Sequence, residues 1–118
     1  MQENTGVDIN DQQDVAVLAF TSASICDLAA IDLLSKHIKK YIADKNPRKL
    51  VIDFAHVKFF TSQTLGLLLD IWRKVKANNG EVVISGINPQ LHRVFRITNL
   101  DKIFRFFPDQ DSAVKALT

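Results

Sequence analysis

Three short, mostly apolar runs constrain this chain more than any other feature. They are Val15-Ala16-Val17-Leu18-Ala19-Phe20, Lys49-Leu50-Val51-Ile52-Asp53-Phe54 and Glu81-Val82-Val83-Ile84-Ser85. Strands without polar alternation are buried on both faces, which is the habit of parallel sheets. The segments between them have helical spacing and exceed ten residues. Strands separated in this way pair in parallel through right-handed crossovers.

The first intervening segment spaces Leu28, Ile31, Leu34, Ile38, Tyr41 and Ile42 three or four apart. This predicts one apolar helix stripe, with Asp27 as N-cap and an end at Asn46-Pro47. The second helix opens at Thr61-Ser62-Gln63-Thr64, with a core stripe of Leu65, Leu68, Leu69, Trp72 and Val75, and stops at Asn78-Asn79-Gly80. Leu67 and Ile71 widen its apolar band onto an adjacent face, which a second layer buries or a partner covers. Asn88 and Pro89 begin a third helix whose inner face is Leu91, Val94, Phe95 and Thr98. Ile103 to Phe107 reads as a last strand, and Asp109 to Leu117 as a helix capped by Asp109. Val7 to Ile9 is a candidate antiparallel partner of the first run, with residues 11–14 as the turn. The expected fold is α/β. A flexible polar lead, residues 1–6, precedes one domain, residues 7–118, with a mixed, mostly parallel sheet of four to five strands and about four helices.

Composition narrows the function. A chain of 118 residues makes one domain. Its 15 Lys and Arg against 13 Asp and Glu leave a net charge of +2, too little for a dedicated nucleic-acid surface. The single cysteine, Cys26, rules out an intramolecular disulfide and a multi-cysteine metal site, and it fits a reducing cytoplasm. No secretory signal and no apolar run of membrane-spanning length is visible, so no membrane insertion is expected. GxGxxG and GxxxxGK[ST] are absent. His37, His56 and His92 fall in different elements without metal-ligand spacing. Ser62 opens a helix after a strand-like segment but lacks GxSxG, and nothing joins Asp53 to Asp70 as an acid pair. The expectation is a non-enzymatic module with no metal and no cofactor.

Thr61-Ser62-Gln63-Thr64 is the most informative cluster. Its hydroxyls can cap the helix, worth about 1 kcal/mol. They can also accept a phosphate, whose charge of roughly −1.5 to −2 suits a helix N-terminus. Periodicity does not choose between the two.

The stretch from Lys49 to Phe104 resembles a STAS domain, the fold of bacterial anti-sigma factor antagonists, and the resemblance covers roughly residues 7–117. Asp53-Phe54 ends a strand, Leu65-Gly66 matches the family's Leu-Gly, and Asn79-Gly80 stands for its Gly-Gly turn. Phe95-Arg96-Ile97-Thr98-Asn99-Leu100 matches its Phe-x-x-Thr-x-Leu segment. In the family's Asp-Ser-Ser/Thr-Gly motif, Thr61 takes the acidic position, Ser62 the first hydroxyl, Gln63 the second and Thr64 the glycine. Thr21, Ser22 and Ser24 stand where the family has Gly-x-Leu-Asp.

The resemblance implies binding to a serine-kinase anti-sigma factor, phosphorylation by that kinase, and reset by a serine phosphatase. If the first hydroxyl is the acceptor, Ser62 inherits the role; if the second, Gln63 cannot be phosphorylated. Ser62, Thr61 and Thr64 are the phosphorylation candidates. The expected partner contacts are Thr21, Ser22, Ser24, Asp53, Thr61, Ser62, Gln63, Thr64 and Leu67. A constitutive scaffold in a signalling or transporter complex is the alternative on the same fold. A small nucleotide- or lipid-binding protein or an enzyme is the alternative of another class.

Overall fold

The computed structural model describes residues 7–12, 14–21, 24–25 and 28–118. The expected polar lead, the Asp27 cap and Ser22 lie outside the described residues. Five strands form the main sheet: β1 (Val7–Gln12), β2 (Val15–Phe20), β4 (Lys49–Asp53), β6 (Glu81–Ser85) and β7 (Arg105–Phe107), in the order β1-β2-β4-β6-β7. β1 runs antiparallel to β2 and the other pairs are parallel. A second, two-stranded parallel sheet joins β3 (Ser24–Ile25) to β5 (Phe59–Phe60). The helices are α1 (Leu28–Lys45), α2 (Ser62–Ala77), α3 (Pro89–Ile97) and α4 (Gln110–Leu117).

Register explains why the central strands lack polar alternation. Leu18, Ile52, Ile84 and Phe106 align across β2, β4, β6 and β7. This row packs into the main core with Ile31, Ile38, Leu68, Ile71 and Phe95 from α1, α2 and α3. Val17, Val51 and Val83 form the neighbouring row on the opposite face, where Ala113, Val114 and Leu117 of α4 cover them. Both faces are dry, as parallel sheets require.

Four local expectations are corrected. β1 reaches Gln12, so only two residues connect it to β2, and Asp14 takes φ 68, a conformation Asp tolerates. The polar residues 10–12 are compatible with an edge strand wet on one face. The last strand begins only at Arg105, because a 3-10 turn, Leu100–Lys102, follows Asn99 at φ 63 and buries Phe104 in the core. The core face of α2 is Thr64, Leu67, Leu68, Ile71 and Val75, with Leu65, Leu69 and Trp72 half-buried. A helix apolar on two adjacent faces satisfies either phase, and packing against both α1 and the sheet selects this one. Thr61 occupies the N-cap with extended backbone, but its side chain makes no cap bond. Asn88 and Asp109 do cap: their carboxamide and carboxylate oxygens accept from Leu91 N–H at 2.9 Å and Ser112 N–H at 2.8 Å. The Ser112 bond holds the exposed Asp109 carboxyl below its ordinary range.

Asp53 and Ser85 are paired at the carboxyl ends of β4 and β6, both buried. Ser85 Oγ donates to Asp53 Oδ1 at 3.0 Å, as does Ala55 N–H at 3.3 Å. Gln110 Nε2 donates to Oδ2 at 3.2 Å, and Gln110 Oε1 accepts from Gln12 at 3.0 Å. This chain of bonds ties α4 to β1 and β4. Gly86 follows at φ +66, where a Cβ would lie 2.8 Å from Asp53 Oδ1. At the far end of the sheet, Tyr41 donates to Asp11 Oδ1 at 3.0 Å.

Gly86→Ala should destabilise the fold by about 1–3 kcal/mol through left-handed strain and displacement of Asp53. Gly66→Ala, in a helix where the new methyl meets nothing within 4 Å, should stabilise it by about 0.5–1 kcal/mol. Urea midpoints of the two variants should therefore move in opposite directions. Partial burial, with the Asp11 hydrogen bond behind it, pushes the Tyr41 phenol up to about 12. Its folded value is above the unfolded one, so this stabilisation is complete below pH ~10 and is lost as pH rises towards 12. Tyr41→Phe should melt with a shallower decline over that interval, read as the difference in melting temperature from wild type.

Candidate functional site

The carboxyl ends of β2, β4 and β6 lead into loops on one side of the sheet, and α2 starts there. Phe60 anchors that start. Its ring packs edge-on to Phe54 at 5.9 Å and to Phe95 at 6.0 Å, while Phe54 meets Phe20 at 5.2 Å. Alternation along β5 turns its neighbour outward, and Phe59 is 61% exposed. Ser24 pairs with Phe59 and Ile25 with Phe60, so β3 runs beside the strand that leads into α2. Thr21 is exposed.

Within the hydroxyl cluster the four residues have different surroundings. Ser62 and Gln63 are exposed and Thr64 is fully buried. The Thr64 N–H donates to the Thr61 carbonyl at 3.0 Å, a tight first turn. The Thr61 hydroxyl is buried with no hydrogen-bond partner. Only Ser62 combines a hydroxyl with exposure at the helix N-terminus, where the first N–H groups lack intrahelical acceptors.

Two expected contact residues lie elsewhere. Leu67, 4% exposed, packs in the main core at the floor of the α1–α2 groove, because α2 turns that face inward. Asp53, 7% exposed, is consumed by Ser85, Ala55 and Gln110 on the α4 side of the sheet. Asp70 instead pairs with Lys39 at 3.4 Å and Arg73 at 3.3 Å, so it does not meet Asp53. Phe59 was missed by the sequence reading. Its signal was the doublet Phe59-Phe60: in a strand, one of two neighbours faces out.

Among the described residues, no group of three His, Cys, Asp or Glu comes together as a metal site. His37 and His56 are exposed, and His92 meets the Phe106 ring at a tilt, with centroids 4.5 Å apart. No helix among the described residues is long and apolar enough to cross a membrane.

The STAS domain family model matches residues 7–113. The anti-sigma F factor antagonist of Paenibacillus polymyxa is 25% identical over 87 residues, 74% of this chain and 72% of that protein. The crystal structure of an anti-sigma factor antagonist from Mycobacterium paratuberculosis is 30% identical, with a TM-score of 0.81 over 93% of this chain and 91% of that one. The Bacillus cell fate determinant SpoIIAA, 16% identical, has the same fold in its unphosphorylated and phosphorylated forms. The TM-scores are 0.73 and 0.75, over 94% and 95% of this chain and 96% and 99% of the respective SpoIIAA chains. A five-stranded, mostly parallel sheet with four helices is the arrangement these proteins share with it. Matched across nearly all of its length, the chain belongs to the STAS domain family and is anti-sigma factor antagonist-like within it.

Proposed function

We propose that the protein is a non-enzymatic regulatory module that docks a serine-kinase anti-sigma factor through the surface around the start of α2, and that phosphorylation of Ser62 breaks the complex. The observation that carries this reading is the exposure of Ser62 in the first turn of α2, beside buried Thr64 and the enclosed Thr61 hydroxyl. A kinase needs an accessible hydroxyl, and among these three candidates Ser62 offers one without unfolding. The docking surface comprises Thr21, Ser24, Phe59, Ser62 and Gln63. Phe59 supplies an apolar anchor of the kind that dominates interface energetics. A phosphate there adds roughly −1.5 to −2 charge, which the helix N-terminus tolerates and an apolar interface does not. The fold's existence in phosphorylated and unphosphorylated SpoIIAA fits a switch that leaves the fold intact. A serine phosphatase would reset it.

One observation favours a second reading, a constitutive scaffold. Gln63 is exposed where the family carries its second hydroxyl, and it cannot take a phosphate. The two readings separate cleanly. Incubation with host lysate and ATP, followed by peptide mass spectrometry, should place a phosphate on Ser62. In calorimetric titrations with the purified host anti-sigma factor kinase, Ser62→Asp should bind at least about tenfold more weakly than wild type. Its melting temperature should stay within about 4 °C, as for surface substitutions. Equal affinity of the two proteins, with no phosphate recovered, would establish the scaffold instead.

A further inference from the structure

Asn79-Gly80 is the one Asn-Gly pair in the sequence. It forms the corner where α2 hands over to β6. Asn79 is exposed and takes φ 62, the left-handed conformation that ends many helices and that Asn tolerates better than most residues. Two bonds close the corner. Asn79 N–H donates to the Lys76 carbonyl at 2.9 Å, and Gly80 N–H to the Val75 carbonyl at 2.9 Å. These are the paired bonds of a Schellman cap.

Each residue answers a demand of the backbone. Position 79 needs a residue at ease with positive φ. Position 80 is buried and has no room for a side chain: a Cβ there would overlap the Val75 side chain and sit 2.9 Å from the Arg48 oxygen. That oxygen is already engaged, accepting from the N–H of Glu81, the first residue of β6, at 2.8 Å.

Met together, the two demands create a chemically reactive pair. The backbone nitrogen after an asparagine can attack the side-chain amide carbon, and glycine hinders that nitrogen least because it has no Cβ. Asn46 and Asn88 precede proline, whose nitrogen carries no proton to lose. In the closed corner the Gly80 nitrogen is buried and its proton is committed to Val75. Attack therefore requires the cap to open, and helix ends open more readily than the core.

We propose that Asn79 is a self-modification site, converted to a carboxylate through Gly80 whenever the corner between α2 and β6 opens, and held unreacted while it is closed. The Gly80 nitrogen bonds to Asn79 Cγ, its proton passes to hydroxide, and the side-chain nitrogen leaves as ammonia. Water then opens the cyclic imide at either carbonyl, giving aspartate or isoaspartate at position 79. The aspartate product keeps the cap, since Asp also tolerates positive φ, and it lies among Arg48, Lys49 and Lys76, which line the same concavity as Asn79. The isoaspartate product routes the main chain through Cβ. The added backbone atom prevents Gly80 and Glu81 from both keeping their bonds to Val75 and Arg48. This site is independent of the Ser62 surface.

The full chain aged in mildly alkaline buffer, folded or in urea, tests the proposal. Peptide mass spectrometry reads conversion at position 79, and chromatography resolves the two products. The pair should convert in urea. In native buffer the rate should be at least about tenfold lower, because only opened molecules react. Val75→Ala removes the side chain against which Gly80 packs and should raise the native rate about tenfold. Val17→Ala, the same truncation on the α4 face of the sheet, should leave that rate unchanged. Asn79→Asp should melt within about 4 °C of wild type, and the isolated isoaspartate form should melt below it. No conversion in urea, equal rates folded and in urea, no acceleration by Val75→Ala, or equal acceleration by Val17→Ala overturns the proposal.

Discussion

The edge-to-face packing of Phe54, Phe60 and Phe95 is the constraint on which the site geometry depends. Phe54 directly follows the central strand β4, Phe60 ends β5, and Phe95 comes from α3. Phe54 and Phe95 are fully buried, and Phe95 also packs on Phe104 at 6.1 Å and Phe106 at 5.3 Å. Such ring pairs contribute about 0.5–1.5 kcal/mol each beyond their buried area. They clamp the residue before Thr61. Where Phe60 is fixed, Thr61 must begin the helix, and the first turn must present Ser62 outward. The accessible serine is thus a consequence of an aromatic core two residues upstream.

A second device holds the other side of the same strand ends. Asp53 is a buried carboxylate, and such groups persist only when hydrogen-bonded. Ser85, Ala55 and Gln110 supply three donors, and Gly86 has no side chain to interfere. The strand ends are therefore braced by aromatic contacts on the α3 face and by polar contacts on the α4 face. This explains why the Asp53 carboxylate is spent inside the fold.

The strand–helix order and the family resemblance were legible because three dry strands at helical separations leave few alternatives. Asn88 and Asp109 were legible because cap chemistry is local. Three features needed tertiary information. The phase of α2 was ambiguous, since Leu65, Leu67, Leu68 and Leu69 give two overlapping stripes and only the position of α1 decides. Thr61 reads as a cap from its type, yet its hydroxyl is turned into an enclosed space without a partner, a choice set by the Phe60 anchor. The hydroxyls of residues 61–64 look equivalent in sequence, and burial alone separates Ser62 from Thr64.

Charge shows the same dependence on folding. A surplus of two cations over 118 residues suggests a surface without a strong preference for partners. That average conceals an uneven distribution. Asp32, Asp44, Asp70 and Glu81, four of the 13 acidic residues, each have a cation within 4 Å. Arg48, Lys49 and Lys76, with no carboxylate within 4 Å among the described residues, lie together where β4 begins beside the end of α2. A negative group added at Ser62 would meet the favourable end of the α2 dipole, and Lys74 and Lys76 in the last turn offset the negative end. The two ends of α2 are therefore nearly independent electrostatically, because the roughly 21 Å between Ser62 and Lys76 is about two Debye lengths, which screens each from the other.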